Sequence, residues 1–285
     1  MRPEPSLQEK LQAHAQAFSG RQKALARFIS ENYQRVAFST IRQLSAAARV
    51  SEATTVRFAR FLGFKGYAEF QREIRRIVRA ELKGNERFQL SYKTKRRNSG
   101  PLAAIIGKEI ENLSYLQEKF DEKRFRKAVS WMSEASGIVI VGTRSTASLA
   151  THFWFGLAKL EHKVHRICLI TTETYDFLSQ LDPKALLIVI GFPRYLTELK
   201  DILEFSRERH IRSLVLTDSA FSPLRGDLNL YMPAESTSFM AFHCAPMVLI
   251  NALIEGLSLK EKEESAGALK RFERLAEARG YFVKG

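Results

Sequence analysis

Residues 39–70, STIRQLSAAARVSEATTVRFARFLGFKGYAEF, decide the reading of this chain. Ser39 can cap a first helix through Ile41, Leu44 and Ala47, and Ser51 can cap a second that stops at Gly63. Two short helices joined by a tight turn form a helix-turn-helix, whose second helix enters the DNA major groove. At 100° per residue from Glu52, the positions Thr55, Val56, Phe58, Ala59 and Leu62 are expected to face the core. Ala53, Thr54, Arg57 and Arg60 are expected to face outward, with Glu52 at the entry. Arg57 is the expected bidentate guanine contact, and Glu52 can accept from a cytosine amino group. Thr54 and Arg60 suit phosphates, and Lys65 with Gly66 can clamp the backbone just past the helix.

Working outward, the charge supports a nucleic-acid partner. The chain has 285 residues and a formal charge of +14. Residues 1–100 hold 21 Lys/Arg against 8 Asp/Glu, a net +13, and residues 101–285 hold 24 against 23. A basic module beside a neutral one is what counterion release at a phosphate backbone requires. The two cysteines, Cys168 and Cys244, form no CxxC, which argues against a disulfide framework and for a reducing, cytoplasmic setting. The first residues, MRPEPSLQEK, hold no apolar signal region, and no apolar run reaches membrane-spanning length.

Three segments are expected: a helical DNA-binding domain over residues 1–82, a linker over 83–101 and an α/β domain over 102–285. Residues 1–20 look helical, and Arg21 to Tyr33 places Leu25, Phe28 and Ile29 at helical spacing. The polar, basic stretch 83–100, KGNERFQLSYKTKRRNSG, reads as the linker, and its run Lys93–Arg97 can also touch the DNA backbone. Beyond Pro101, helical residues 102–132 lead into IVIV at 138–141. Similar short apolar runs recur at 164–170, 185–192, 212–218 and 228–232, with helical stretches between them and a charged terminal helix from Ser258. Five strands alternating with helices predict a doubly wound, five-stranded parallel sheet, with ligands at the carboxyl ends of the strands.

The block VSEATTVRFARFLGFKGYAEF at 50–70 resembles the N-terminal module of RpiR-type bacterial transcription regulators, over about residues 5–80. Arg49 departs from the glycine often found in that turn. Residues 138–150 (IVIVGTRSTASLA), 187–198 (LIVIGFPRYLTE) and 214–233 (LVLTDSAFSPLRGDLNLYMP) resemble the partner of that module, the SIS (sugar isomerase) domain, over about residues 105–260. The resemblance implies a DNA-binding regulator, not an enzyme, whose SIS domain binds a sugar phosphate or related anionic carbohydrate derivative. A double-stranded DNA operator and a two-fold dimer, or a dimer of dimers, follow from one helix reading too few base pairs.

The effector site is expected at two loops. In the first, Gly142, Thr143, Arg144, Ser145 and Thr146 precede a helix start, where backbone N–H groups favour an anion. In the second, the family form S-x-S-G-x-T-x-E becomes GFPRYLTE at 191–198, a version found in a subgroup with an FPRY loop. Only Glu198 matches; Pro193 removes an N–H and Arg194 stands where glycine lets backbone approach a phosphate. Arg194 can supply a charged fork instead, or pair with Glu198 or Asp201. Tyr195 joins this loop. Thr217, Ser219 and Ser222 follow the next strand, and Ser236 and Ser238 can face sugar hydroxyls or simply cap a helix. No cofactor or metal constellation is read; His162 and His165 have no ligand set beside them. The alternative reading is a sugar-phosphate aldose–ketose isomerase with a basic appendage, using Glu198, Glu235 or His243 as base. A third is a nucleoid or RNA-binding protein.

Overall fold

The computed structural model describes residues 17–81, 100–218, 222–236, 240 and 243–283. The expectations for residues 1–16, for the linker residues 83–99 including Lys93–Arg97, and for Ser219 and Ser238 lie outside the described residues. Two compact units divide the chain, Met1–Arg96 and Arg97–Gly285.

The first unit is helical among its described residues: α1 Gly20–Val36, α2 Ile41–Ala47, α3 Glu52–Phe61 and α4 Tyr67–Glu81. Side-chain caps start its first three helices. Ser19 and Gln22 form a capping box on α1, and Thr40 with Gln43 forms another on α2. Thr40, not Ser39, is therefore the cap of α2; the Ser39 hydroxyl instead donates back to Arg35 O at 2.8 Å and closes α1. Leu25, Ile29, Leu44, Phe58, Phe70 and Ile74 fill the core, with Phe58 meeting Phe70 edge-on at 6.2 Å.

The second unit begins with α5 Pro101–Lys119 and α6 Glu122–Glu134; the helical stretch expected over 102–132 breaks at Phe120, where Asp121 caps α6. There follow β1 Ile138–Val141, a single 3-10 turn at Arg144–Thr146, α7 Ala147–Lys159, β2 Val164–Ile167 and α8 Thr172–Ser179. After these come β3 Leu186–Ile190, α9 Thr197–Glu208, β4 Arg212–Thr217, β5 Leu228–Tyr231, α10 Cys244–Lys260 and α11 Lys262–Arg279. The five strands pair in parallel in the order β2-β1-β3-β4-β5. Side-chain alternation divides the core into two layers. Ile138, Ile140, Leu186, Ile188 and Leu214 pack with α6, α7 and α10. Val139, Val141, Leu187, Val189 and Val215 pack with α8 and α9.

The chain runs from β1 outward to β2, then returns past β1 to β3. The sheet thus reverses direction between β1 and β3, and the loops leaving these two strands diverge onto opposite faces. Such a switch point is where open α/β sheets hold ligands.

Candidate functional sites

In the first unit, α2 and α3 are locked at a fixed angle by polar and apolar contacts together. Ser45 Oγ and Thr55 Oγ1 share a hydrogen bond of 2.8 Å inside the core, tying one helix to the other. The turn between them ends α2 with two reversed bonds, Arg49 N to Ala46 O and Val50 N to Ser45 O. That closure needs a left-handed residue after the helix, and Arg49 supplies it at φ 55°. The same pair of bonds ends α3, from Gly63 N and Phe64 N to Arg60 O and Ala59 O, with Gly63 at φ 91°.

Ser51 caps α3 by accepting from Thr54 N at 3.2 Å. Glu52, Ala53, Arg57 and Arg60 are exposed on the helix this cap begins. Thr54 is a correction. It is 6% exposed, and its hydroxyl is held by Ser51 Oγ at 2.9 Å. The buried arc runs from Thr54 through Phe58, Leu62 and Thr55 to Ala59, so its edge lies one position earlier than expected and Val56 falls half outside. Just past α3, Lys65 is exposed, and its amide donates to Glu69 Oε2 at 2.6 Å. Gly66 carries no neighbour within 4 Å of where a Cβ would stand.

One supporting device was not read from the sequence. The carbonyls that close α1 receive side chains of α4: Tyr67 OH donates to Ser39 O at 2.6 Å, Gln71 Nε2 donates to the same oxygen, and Arg75 Nε donates to Ala37 O at 2.7 Å. Burial pushes the Tyr67 phenol up to about 12. A polar stripe at four-residue spacing, Tyr67, Gln71 and Arg75, was the available signal.

In the second unit, the first loop is shaped by packing. A Cβ on Gly142 would lie 2.7 Å from Thr146 O and 2.9 Å from Ala150 Cβ. Thr146 Oγ1 donates to Thr143 O at 2.9 Å and to Ile190 O at 3.2 Å. Its hydroxyl therefore staples the β1 loop to the end of β3, and Thr146 is corrected from ligand contact to structural tie. Thr143 is 9% exposed, and its Oγ1 is enclosed without a hydrogen-bond partner. Arg144 and Ser145 are exposed.

In the second loop, Gly191 is required by its neighbours: a Cβ would lie 2.2 Å from Leu224 Cδ1. Arg194 is exposed and left-handed, with φ 60°, and Arg144 in the first loop matches it at φ 52°. Arg194 thus keeps the backbone form that glycine would adopt at this place. No ion pair joins it to Glu198 or Asp201 among the described residues. Tyr195 OH donates to Asp218 Oδ1, linking this loop to the end of β4. Glu198 is exposed in the first turn of α9. Neither α7 nor α9 has a side-chain cap; the Ala147 amide that opens α7 donates to Arg144 O of the 3-10 turn, and Leu199 N in α9 donates to Leu196 O.

The third region is corrected more fully. Thr217 and Ser222 are fully buried, and Thr217 Oγ1 donates to Ser222 Oγ at 2.8 Å, so both hydroxyls serve the strand-end turn. Ser236 Oγ donates to Met240 O. Glu235 is engaged by Lys108 Nζ at 2.6 Å, and its carbonyl accepts from Asn112 Nδ2 at 2.9 Å. His243 precedes α10 rather than lying within a helix, with its ring 6.3 Å from that of Phe192. Glu109, 8% exposed, accepts from Cys244 N at 3.2 Å and caps α10 from α5. Glu109 and Asn112 lie one turn apart on α5, but His243 is far from both in sequence, and no local pattern marks it as their neighbour. No group of three His, Cys, Asp or Glu side chains among the described residues could hold a metal ion.

A family model described as the helix-turn-helix domain of the rpiR family matches residues 6–79, and a SIS domain model matches residues 132–256. The HTH-type transcriptional regulator HexR of Pseudomonas aeruginosa is 24% identical over 93% of this chain and 94% of its own length. Two solved structures share the fold. The sugar isomerase domain of an RpiR transcription factor from Sphaerobacter thermophilus is 22% identical, with a TM-score of 0.60 over 62% of this chain and 99% of its own. Vibrio vulnificus NanR, complexed with ManNAc-6P, is 18% identical, with a TM-score of 0.54 over 94% of this chain and 97% of its own.

Proposed function

With a helix-turn-helix domain of the rpiR family joined to a SIS domain, this chain is an RpiR-type transcriptional regulator, and we propose that an anionic carbohydrate derivative bound at the β1–β3 switch point modulates its hold on DNA. The observation that carries the DNA half is the exposed arc Glu52, Ala53, Arg57 and Arg60 on a capped helix, held rigid from behind by the Ser45–Thr55 bond. Small residues near the helix start leave room for base edges, and the arginines follow. Arg57 reads a guanine, Arg60 and Lys65 take phosphates, and Ser51, Glu52 and Gly66 complete the contact surface.

The effector half rests on two exposed, left-handed arginines in the loops that leave the adjacent strands β1 and β3. Arg144 and Arg194 form a cationic rim for a phosphate or carboxylate, with Gly142, Ser145, Tyr195 and Glu198 around it. ManNAc-6P on NanR is a ligand of this chemistry. The protein acts in the cytoplasm as a dimer, because two-fold symmetry doubles the operator length read.

Footprinting on DNA upstream of the gene tests the first half. Binding there that is sequence-selective and weakens with salt is expected; equal affinity for scrambled DNA and RNA would point to a nucleoid or RNA-binding protein. A thermal-shift screen of sugar phosphates and sugar acids, with Arg194→Ala as control, tests the second. Turnover of an aldose or ketose phosphate, abolished by Glu198 or Glu235 substitution, would favour an isomerase instead.

A further inference from the structure

Two side-chain atoms among the described residues are enclosed with no hydrogen-bond partner, Thr143 Oγ1 and His243 Nε2. Buried polar atoms in native proteins almost always have partners, so an orphan calls for something the chain itself does not supply. Both orphans lie at the ends of neighbouring strands, β1 and β3. Thr143 follows β1 directly, and the His243 ring lies against Phe192 in the loop that follows β3. Thr143 belongs to the anion-binding loop already described. His243 does not, and its surroundings are of a different kind.

Burial disfavours the imidazolium form of His243, and the Glu109 carboxylate only partly offsets this. Glu109 itself is enclosed, capping α10 and accepting from Asn112 Nδ2 at 3.3 Å. A neutral imidazole beside a buried carboxylate is a poor site for an anion. It is a good one for a hydroxyl, which can both give and take a hydrogen bond as the imidazole nitrogens do. The groups gathered at these two strand ends are thus polar and of two kinds: the exposed guanidinium groups of Arg144 and Arg194, and the enclosed His243 nitrogen with the Glu109 carboxylate.

We propose that His243 Nε2 is the specificity contact for the uncharged, hydroxyl-bearing body of the effector, whose anionic group lies at the Arg144 and Arg194 rim. This rests on the effector reading above and adds an orientation to it. The site selects a polyol carrying one anionic end over an anion alone, because only the polyol satisfies His243.

The test is calorimetric titration of the full-length protein with inorganic phosphate, glucose 6-phosphate, fructose 6-phosphate, ribose 5-phosphate and 6-phosphogluconate. His243→Phe removes the nitrogen and can still stack on Phe192; His243→Gln keeps a hydrogen-bonding end. The expected result is a loss of about tenfold or more in affinity for the tightest sugar phosphate in His243→Phe. Phosphate affinity stays within about twofold, and His243→Gln recovers most of the loss. The ligand-free melting temperature of His243→Phe is expected to hold or rise, since an orphan polar atom is removed. Sugar-phosphate affinity in His243→Phe equal to wild type overturns the assignment alone, as does an equal loss for phosphate and sugar phosphate. Wild-type protein that binds no member of the panel overturns the effector reading and this contact with it.

Discussion

Arg49, Arg144 and Arg194 all sit at positive φ, a conformation that costs an L-residue roughly 1–2 kcal/mol. At Arg49 the reason is visible: the turn between α2 and α3 needs a left-handed residue to return Val50 to Ser45 O. At Arg194 no helix end demands it, and the strain is retained at the switch point of the sheet, where open α/β sheets hold ligands. Arg194→Gly therefore removes the guanidinium while keeping the loop. It is expected to stabilise the second unit by up to about 1 kcal/mol in urea unfolding while weakening anion binding by titration. A drop in stability would mean that the side chain, not the backbone, holds the loop. A second prediction at this scale concerns His243. Its proton affinity is lowered by burial from the ordinary 6.5, with Glu109 pulling the other way. Below that pH the unfolded chain takes up a proton that the folded chain resists, so stability present above pH 6.5 is lost as pH falls. The urea midpoint of the second unit is expected to decline between neutral pH and about pH 5, and to decline less in His243→Gln.

Among the elements, the α2–α3 pair shows how a recognition helix is held. Thr55→Val keeps the shape but leaves Ser45 Oγ without its partner in the core. A loss of about 1–3 kcal/mol in thermal unfolding is expected, together with weaker DNA binding as α3 loses its fixed angle. The α4 clamp behaves in a complementary way. The Tyr67 phenol is pushed from 10.0 to about 12 by burial, so its contribution is complete below pH 10 and is lost as pH rises towards 12. Alkaline unfolding of the first unit in that window should vanish in Tyr67→Phe, which itself costs about 1 kcal/mol at neutral pH. Most helices and strands were legible because their signals are local: the cap at Ser51 and the apolar runs of β1 and β3. The caps at Ser19 and Thr40 were not read, and Ser39 stood in the place of Thr40. The phase of α3 was less so. Ideal periodicity gives two neighbouring choices for the buried arc, and the folded chain takes the one that includes Thr54, whose hydroxyl meets Ser51 Oγ.

For the whole molecule, the split of +13 in residues 1–100 against +1 in the remainder places nearly all the net positive charge beside the helix-turn-helix. DNA affinity is expected to fall linearly with the logarithm of salt concentration. Arg57→Ala should cost about 1–3 kcal/mol and relax selectivity at one base pair, whereas Arg60→Ala should weaken all sequences alike and flatten the salt slope. Competition binding against single-base operator variants separates the two. Amino-acid order alone determined that one half is basic and helical, that an arginine-bearing helix follows a tight turn, and that five short strands alternate with helices. These follow from propensity, periodicity and charge, which act between near neighbours. Only the tertiary structure decided the strand order that places the β1 and β3 loops side by side. It likewise decided that Thr146, Thr217 and Ser222 are spent on the fold, and that His243 from the α10 entry meets Phe192 while Glu109 from α5 caps that same helix. Each of those outcomes depends on segments tens of residues apart being brought together by burial of the sheet, and no local pattern encodes which partner a side chain will find there.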